Sequence, residues 1–199
     1  MERWRQLRHE LAPGGVRLAS ATQTHGTRIV VHGREWEGWL RVDDADGHVA
    51  PDRGLALAIS IADCVPVFLA HPAGAVALLH SGWRGTAARI VERGIETLAQ
   101  RGFAAAEQRI HLGPAVCGDC YEVGSDVHRQ LTGRDSSGAS RCVDLRSLIA
   151  QQARDSGVRH VTTSPLCTRC DNDRFYSHRA GDAGRQIAVI YAEAIGRSS

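Results

Sequence analysis

The sequence predicts a mixed α/β fold: one domain over residues 1–199, with a mixed central sheet flanked by helices. Three observations carry this. Apolar runs at 55–62, 65–70 and 75–80 follow one another with short turns between, the pattern of a meander of central strands. Two stretches, 86–100 and 145–155, read as helices. Short strand candidates lie on either side, with no internal repeat, low-complexity segment or linker to mark a second domain.

In chain order, residues 1–13 read as the end of a helix stopped at Pro13-Gly14-Gly15. Segments 16–21 and 28–31 are short strands, separated by Gln23-Thr24-His25-Gly26. Segment 35–46 is polar with two tryptophans, a loop or an edge strand. After the three apolar runs, helix 86–100 sets Ala87, Ile90, Ile95 and Leu98 on one face. A strand at 109–112 ends in Gly113-Pro114. Ser125 is placed to cap a helix over 125–131, and Asp144 a second over 145–155, which Gly157 ends. A strand at 158–163, an irregular polar stretch at 167–185 and a closing strand at 186–191 complete the chain.

Composition bounds the chemistry. The length supports a sizeable core. The 24 basic residues are all arginine, set against 22 acidic ones for a net charge of +2, and no charge block marks a nucleic-acid surface. No apolar run is long enough to span a membrane. Met1-Glu2-Arg3-Trp4-Arg5 precedes no apolar signal region, so the expected location is cytoplasmic. The absence of lysine excludes Schiff-base, pyridoxal and Walker-type chemistry. With no secretion signal, the 6 cysteines read as metal ligands or buried thiols, not a disulfide framework.

The run His80-Ser81-Gly82-Trp83-Arg84-Gly85-Thr86 joins an apolar strand to a helix. In α/β sheets ligands gather at such strand ends, and a helix start offers N–H groups to an anion. Arg84 adds a fixed positive fork. The same run also fits a plain turn, with glycines for geometry and a tryptophan for packing. His25, Cys64 and His80 each sit at a strand end or tight turn. Two imidazoles and a thiolate make a three-ligand zinc shell with a fourth position open, and Asp63 is placed to orient a ligand. Their spacing is not a metal motif, and buried Cys or His is commonly simple packing.

Cys117-x-x-Cys120 and Cys167-x-x-Cys170 offer a competing pattern, a closed structural zinc site, although 46 residues separate the pairs. Buried, unlinked thiols remain the alternative, and neither pair has the strand-to-helix context of a redox site. A nucleobase-deaminase fold is excluded, because no His is followed by Glu two places on. Arginines in Tyr176-Ser177-His178-Arg179 and Gly184-Arg185 either grip phosphate or are solvated.

Five runs in order then resemble the bacterial YfiH-like family, also called the laccase-domain or multicopper polyphenol oxidoreductase family. They are Gln23-Thr24-His25-Gly26, Ala62-Asp63-Cys64-Val65-Pro66, His80-Ser81-Gly82-Trp83-Arg84-Gly85, Gly113-Pro114 with Tyr121-Glu122-Val123-Gly124, and Phe175-Tyr176-Ser177-His178-Arg179 with Gly184-Arg185. The resemblance implies a metal at His25, Cys64 and His80. It implies zinc-dependent phosphorolysis of adenosine, inosine, guanosine and methylthioadenosine, and hydrolytic deamination of adenosine. The partners are then a purine nucleoside and phosphate. Asp63 would shuttle the proton in deamination, and Arg84 with the turn N–H groups would hold phosphate. Alternative readings are copper-dependent polyphenol oxidation, with copper in the same ligands, peptidoglycan-precursor editing, and a non-enzymatic zinc-stabilised interaction protein. The chain departs from the family pattern in an amino-terminal part shortened to residues 1–15 and in His178-Arg179 for the usual Arg-Arg pair. Cys120, Cys167 and Cys170 resemble positions in relatives and read as local thiols; Cys117 and Cys142 look less typical.

Overall fold

Two larger sheets share the core, because the central strands are buried on both faces. The computed structural model describes residues 2–11, 15–135 and 141–193. Its elements begin with α1 (Glu2–Leu11), β1 (Arg17–Ala21), β2 (Ile29–Val31), β3 (Trp39–Val42), β4 (Gly47–Ala50), β5 (Leu55–Ile61), β6 (Val65–Ala70) and β7 (Val76–Ser81). They continue with α2 (Trp83–Ala87), α3 (Ile90–Ala99), β8 (Arg109–Leu112), β9 (Glu122–Val123), α4 (Ser125–Thr132), β10 (Arg141–Cys142), α5 (Leu145–Asp155), β11 (His160–Thr163) and β12 (Gln186–Tyr191). A four-stranded sheet runs β12-β5-β1-β3, a six-stranded sheet runs β11-β8-β6-β7-β4-β2, and β9 pairs with β10. Both larger sheets mix parallel and antiparallel pairs. The mixed α/β class is therefore as the sequence predicts.

Side-chain direction explains the layering. Along β7, Ala77 and Leu79 enter one core with α3 and α5, while Val76 and Leu78 enter another between the sheets. Both faces are covered, so the strand is continuously apolar. Along β5, Leu55, Leu57 and Ile59 enter the inter-sheet core, while Ala56 and Ala58 pack against Trp4, Leu7 and Leu11 of α1. The small residues let a helix lie close. The predicted meander of three runs is thus corrected: β6 and β7 pair, but β5 crosses the core into the other sheet.

Other expectations shift locally. The helix predicted over 86–100 starts at Trp83 and breaks at Arg89, whose φ is +60°. The Thr86 hydroxyl donates to the Gly82 carbonyl and meets Ser81 Oγ, fixing α2 at the end of β7. Ile90, Val91, Ile95 and Leu98 instead turn α3 onto the core, so the two segments cannot share an axis. Gly124, not Ser125, is the cap residue of α4, whereas Asp144 caps α5 by accepting from Arg146 and Ser147 N–H. Segment 35–46 supplies β3 as an edge strand. Of the helix stop Pro13-Gly14-Gly15, Pro13 and Gly14 lie outside the described residues.

Gly47 lies where β4 is squeezed between β2 and β7, and a Cβ there would meet Ile29 Cγ1 at 2.7 Å and Leu79 Cδ2 at 2.8 Å. Gly47→Ala is expected to cost about 1–3 kcal/mol in denaturant unfolding, as overpacked cores do. Nearby, His32 Nε2 and His48 Nδ1 lie 2.9 Å apart in a buried pair. Burial and Arg17 push His32 down to about 4; burial and His32 push His48 down to about 3. Both are neutral in the fold and bind protons in the unfolded chain near pH ~6.5. Their contribution to stability is therefore complete above that pH and falls as the solution is acidified toward about 4. The thermal midpoint is expected to drop over this window, less steeply in His32→Gln.

Candidate metal centre and active cleft

Three chain segments converge at the ends of β1, β5 and β7. His25 lies in the loop after β1 with φ +60°, Cys64 follows Asp63 (φ +80°) in the turn from β5 to β6, and His80 is the next-to-last residue of β7. Their ligand atoms all lie within 4.8 Å of one another. The two imidazole rings meet edge to face at 4.8 Å.

One carboxylate organises this arrangement. Asp46, fully buried just before β4, accepts N–H bonds from Thr24 at 3.2 Å, His25 at 3.0 Å and Gly26 at 2.7 Å. Its Oδ1 also meets His80 Nδ1 at 2.7 Å. It therefore shapes the loop bearing one ligand and turns His80 so that Nε2 is the nitrogen left for a metal. Such carboxylate–histidine contacts are how metal sites fix ring orientation.

The electrostatics follow from these contacts. Burial alone would raise the Asp46 carboxyl, but bonds from His80 and the loop N–H groups hold it at about 2. Burial disfavours charge on His80, yet Asp46 and Cys64 raise it to about 9. Burial likewise raises Cys64, and His25 and His80 bring it down to about 7. The thiolate, the form that ligates metal, is thus accessible near neutrality.

Gly82 completes the cradle. A Cβ there would stand 2.8 Å from Cys64 Sγ and 3.3 Å from His25 Cδ2. Two imidazoles and a thiolate suit zinc, and copper would also take them. Three ligands leave a fourth position for a water or substrate oxygen.

The site opens into a cleft of about 720 Å³ lined by His25, Cys64, His80, Trp83 and Tyr121. Arg41, Arg84, Arg179 and Arg185 also line it, and Asp63 is the one acidic lining residue. Arg84 sits over the Trp83 ring at 4.3 Å, and Arg179 over Tyr121 at 4.8 Å. The cleft size falls within the range of small-molecule sites, and its charge suits an anion. Asp63 accepts from the Thr168 hydroxyl at 2.6 Å and from Arg179 N–H at 2.7 Å, tying the irregular 167–185 stretch to the β5–β6 turn. The contact to His80 thus comes from Asp46.

Sequence reasoning missed Asp46. It sits beside Asp43 and Asp44 in a polar run, and nothing local distinguishes the buried one. Gln23, quoted for the resemblance, latches β1 to β5 through its Oε1 and Nε2 bonds to the Ser60 backbone at 2.8 and 2.9 Å. The two Cys-x-x-Cys pairs lie side by side in the fold. A parallel bridge between Ala115 and Cys167 brings Cys117, Cys120, Cys167 and Cys170 within 4.8 Å of one another. Cys142 stands apart, its Sγ 3.6 Å from the Asp119 carbonyl.

The family model described as multi-copper polyphenol oxidoreductase laccase matches residues 1–193. The chain belongs to this family. A relative in Streptomyces griseus, named purine nucleoside phosphorylase ORF3, is 33% identical across 86% of this chain and 72% of its own length. Adenosine deaminase RL5, from an unknown prokaryotic organism, is 31% identical across 87% of this chain and 74% of its own. The crystal structure of YlmD from Geobacillus stearothermophilus superposes with a TM-score of 0.87 at 30% identity, covering 96% of this chain and 78% of that one. The YfiH-like resemblance and the fold it implies therefore hold. Among the described residues no helix is long and apolar enough to cross a membrane.

Proposed function

We propose that this laccase-family chain is a zinc-dependent purine nucleoside enzyme. It cleaves adenosine, inosine, guanosine and methylthioadenosine with phosphate and deaminates adenosine. The observation that carries this reading is an open three-ligand site sharing one cleft with four arginines. The names of the relatives, purine nucleoside phosphorylase and adenosine deaminase, agree with it.

His25, Cys64 and His80 would hold the metal. When bound, zinc polarises an oxygen and makes a water nucleophilic at neutral pH. The remaining work falls to the chain. Arg84, exposed at the rim over Trp83, holds phosphate, with Arg41, Arg179 and Arg185 adding charge around it. In phosphorolysis a phosphate oxygen bonds the anomeric carbon, the C–N bond to the base breaks, and the base leaves with the electron pair and takes up a proton. In deamination water adds to the amino-bearing purine carbon and ammonia leaves. Asp63, beside Cys64 in the cleft wall, is assigned that proton transfer.

Copper-dependent polyphenol oxidation has less support. Multicopper catalysis uses several histidine-rich sites. Among the described residues the groups suited to a metal are this triad and the four cysteines.

Arg84→Ala tests the phosphate role. Losing one charge-assisted bond of about 1.5–3 kcal/mol should raise the KM for phosphate roughly 10- to 100-fold and spare deamination. An equal loss of both activities in steady-state assays would contradict the assignment.

A further inference from the structure

We propose that Cys117, Cys120, Cys167 and Cys170 form a second, closed metal centre. It is a tetrathiolate zinc site that staples the 167–185 stretch to the turn before Tyr121 and so sets one wall of the cleft.

Each pair sits on a tight turn. Cys120 N–H donates to the Cys117 carbonyl at 3.1 Å, and Asp171 N–H to the Cys167 carbonyl at 2.9 Å. The turns are docked by main chain, through the Ala115–Cys167 bridge and Thr168 N–H on the Ala115 carbonyl at 3.2 Å. Main-chain contacts thus hold the two turns side by side.

The sulfurs suit a tetrahedral ion. Zn–S bonds of about 2.3 Å require S···S separations of about 3.8 Å. Here the four lie within 4.8 Å of one another, with Cys120 Sγ and Cys170 Sγ 3.5 Å apart. Cys167 Sγ accepts N–H bonds from Cys117 at 3.2 Å and Cys170 at 3.4 Å, the outer contacts that support a ligating thiolate. Cys167 is buried while Cys170 is exposed, which gives the ion a way in. Four thiolates close the shell and leave no open position, so the centre is structural. Each thiol loses its proton to solvent as the ion binds.

The consequence reaches the cleft through covalent neighbours. Tyr121 follows Cys120, and Thr168 lies between Cys167 and Cys170. Thr168 and Arg179 both hold Asp63, and Arg179 covers Tyr121. The staple and the walls of the cleft are therefore one unit. This centre is independent of which reaction the cleft performs.

Metal content of full-length protein grown with zinc or cobalt tests it. Wild type should carry two metal equivalents, Cys170→Ser one, and Cys64→Ser one. The cobalt form of Cys64→Ser should keep the intense thiolate-to-metal absorption of four sulfurs, whereas Cys170→Ser should keep only the weaker band of the single Cys64 thiolate. Hydrogen exchange over 167–185 should quicken in Cys170→Ser while β7 stays protected. A wild type with one metal that survives Cys170→Ser would overturn the proposal, as would an intact mass showing a Cys120–Cys170 disulfide. Should Cys170→Ser fail to fold, the Cys64→Ser cobalt spectrum decides alone, and a missing thiolate band refutes the site. Unchanged exchange over 167–185 in a folded Cys170→Ser would refute the stapling.

Discussion

Cys64→Ser is expected to fold normally yet lose the cleft metal and all nucleoside turnover. The side chain is partly exposed at a turn and its removal leaves no large cavity. What disappears is the one soft, anionic ligand of the three. The loss should exceed the roughly 10- to 100-fold fall in affinity seen when only an orienting partner is removed. Circular dichroism and metal analysis on the same sample check both halves. Wild-type turnover in a variant without cleft metal would separate the reaction from the metal.

Asp46→Asn should damage the site without touching a ligand. The carboxylate, which has no exposed surface, takes three backbone N–H bonds and the His80 ring. An amide cannot accept on both sides, so one half of the residue would face donors with a donor. Breaking a buried charge pair this way costs about 3–5 kcal/mol, and metal affinity should fall roughly 10- to 100-fold. Thermal unfolding and a competitive zinc titration read the two effects separately. A variant with lost stability but unchanged affinity would deny Asp46 its orienting role.

The sequence and the structure agree where the signal is local. The Asp144 cap bonds the first turn of α5, and Gly157 ends that helix region at φ +88°. The strands β5, β6 and β7 are visible as apolar runs because both their faces are buried. The same burial hides which sheet each joins, since a strand covered on both sides shows no outward face. The break at Arg89 is equally invisible: Ala87, Ile90 and Ile95 keep helical spacing across it. His25, Cys64 and His80 could be proposed from turn positions and from resemblance, and the fold brings them together. Asp46 could not, because its importance comes from three N–H groups contributed by a loop some twenty residues earlier. The four cysteines were legible as two pairs able to close one site, but not the contact that joins them, because a bridge between Ala115 and Cys167 is a tertiary fact.

The most direct test of a metal-dependent nucleoside enzyme is product analysis on metal-stripped protein and on the same protein with zinc restored. Each would be incubated with adenosine, with and without phosphate, and the products separated by chromatography. The account predicts adenine only when zinc and phosphate are both present, and inosine whenever zinc is present, part of it passing on to hypoxanthine when phosphate is added. Neither product, with zinc verified at His25, Cys64 and His80, would contradict it and direct attention to a different substrate.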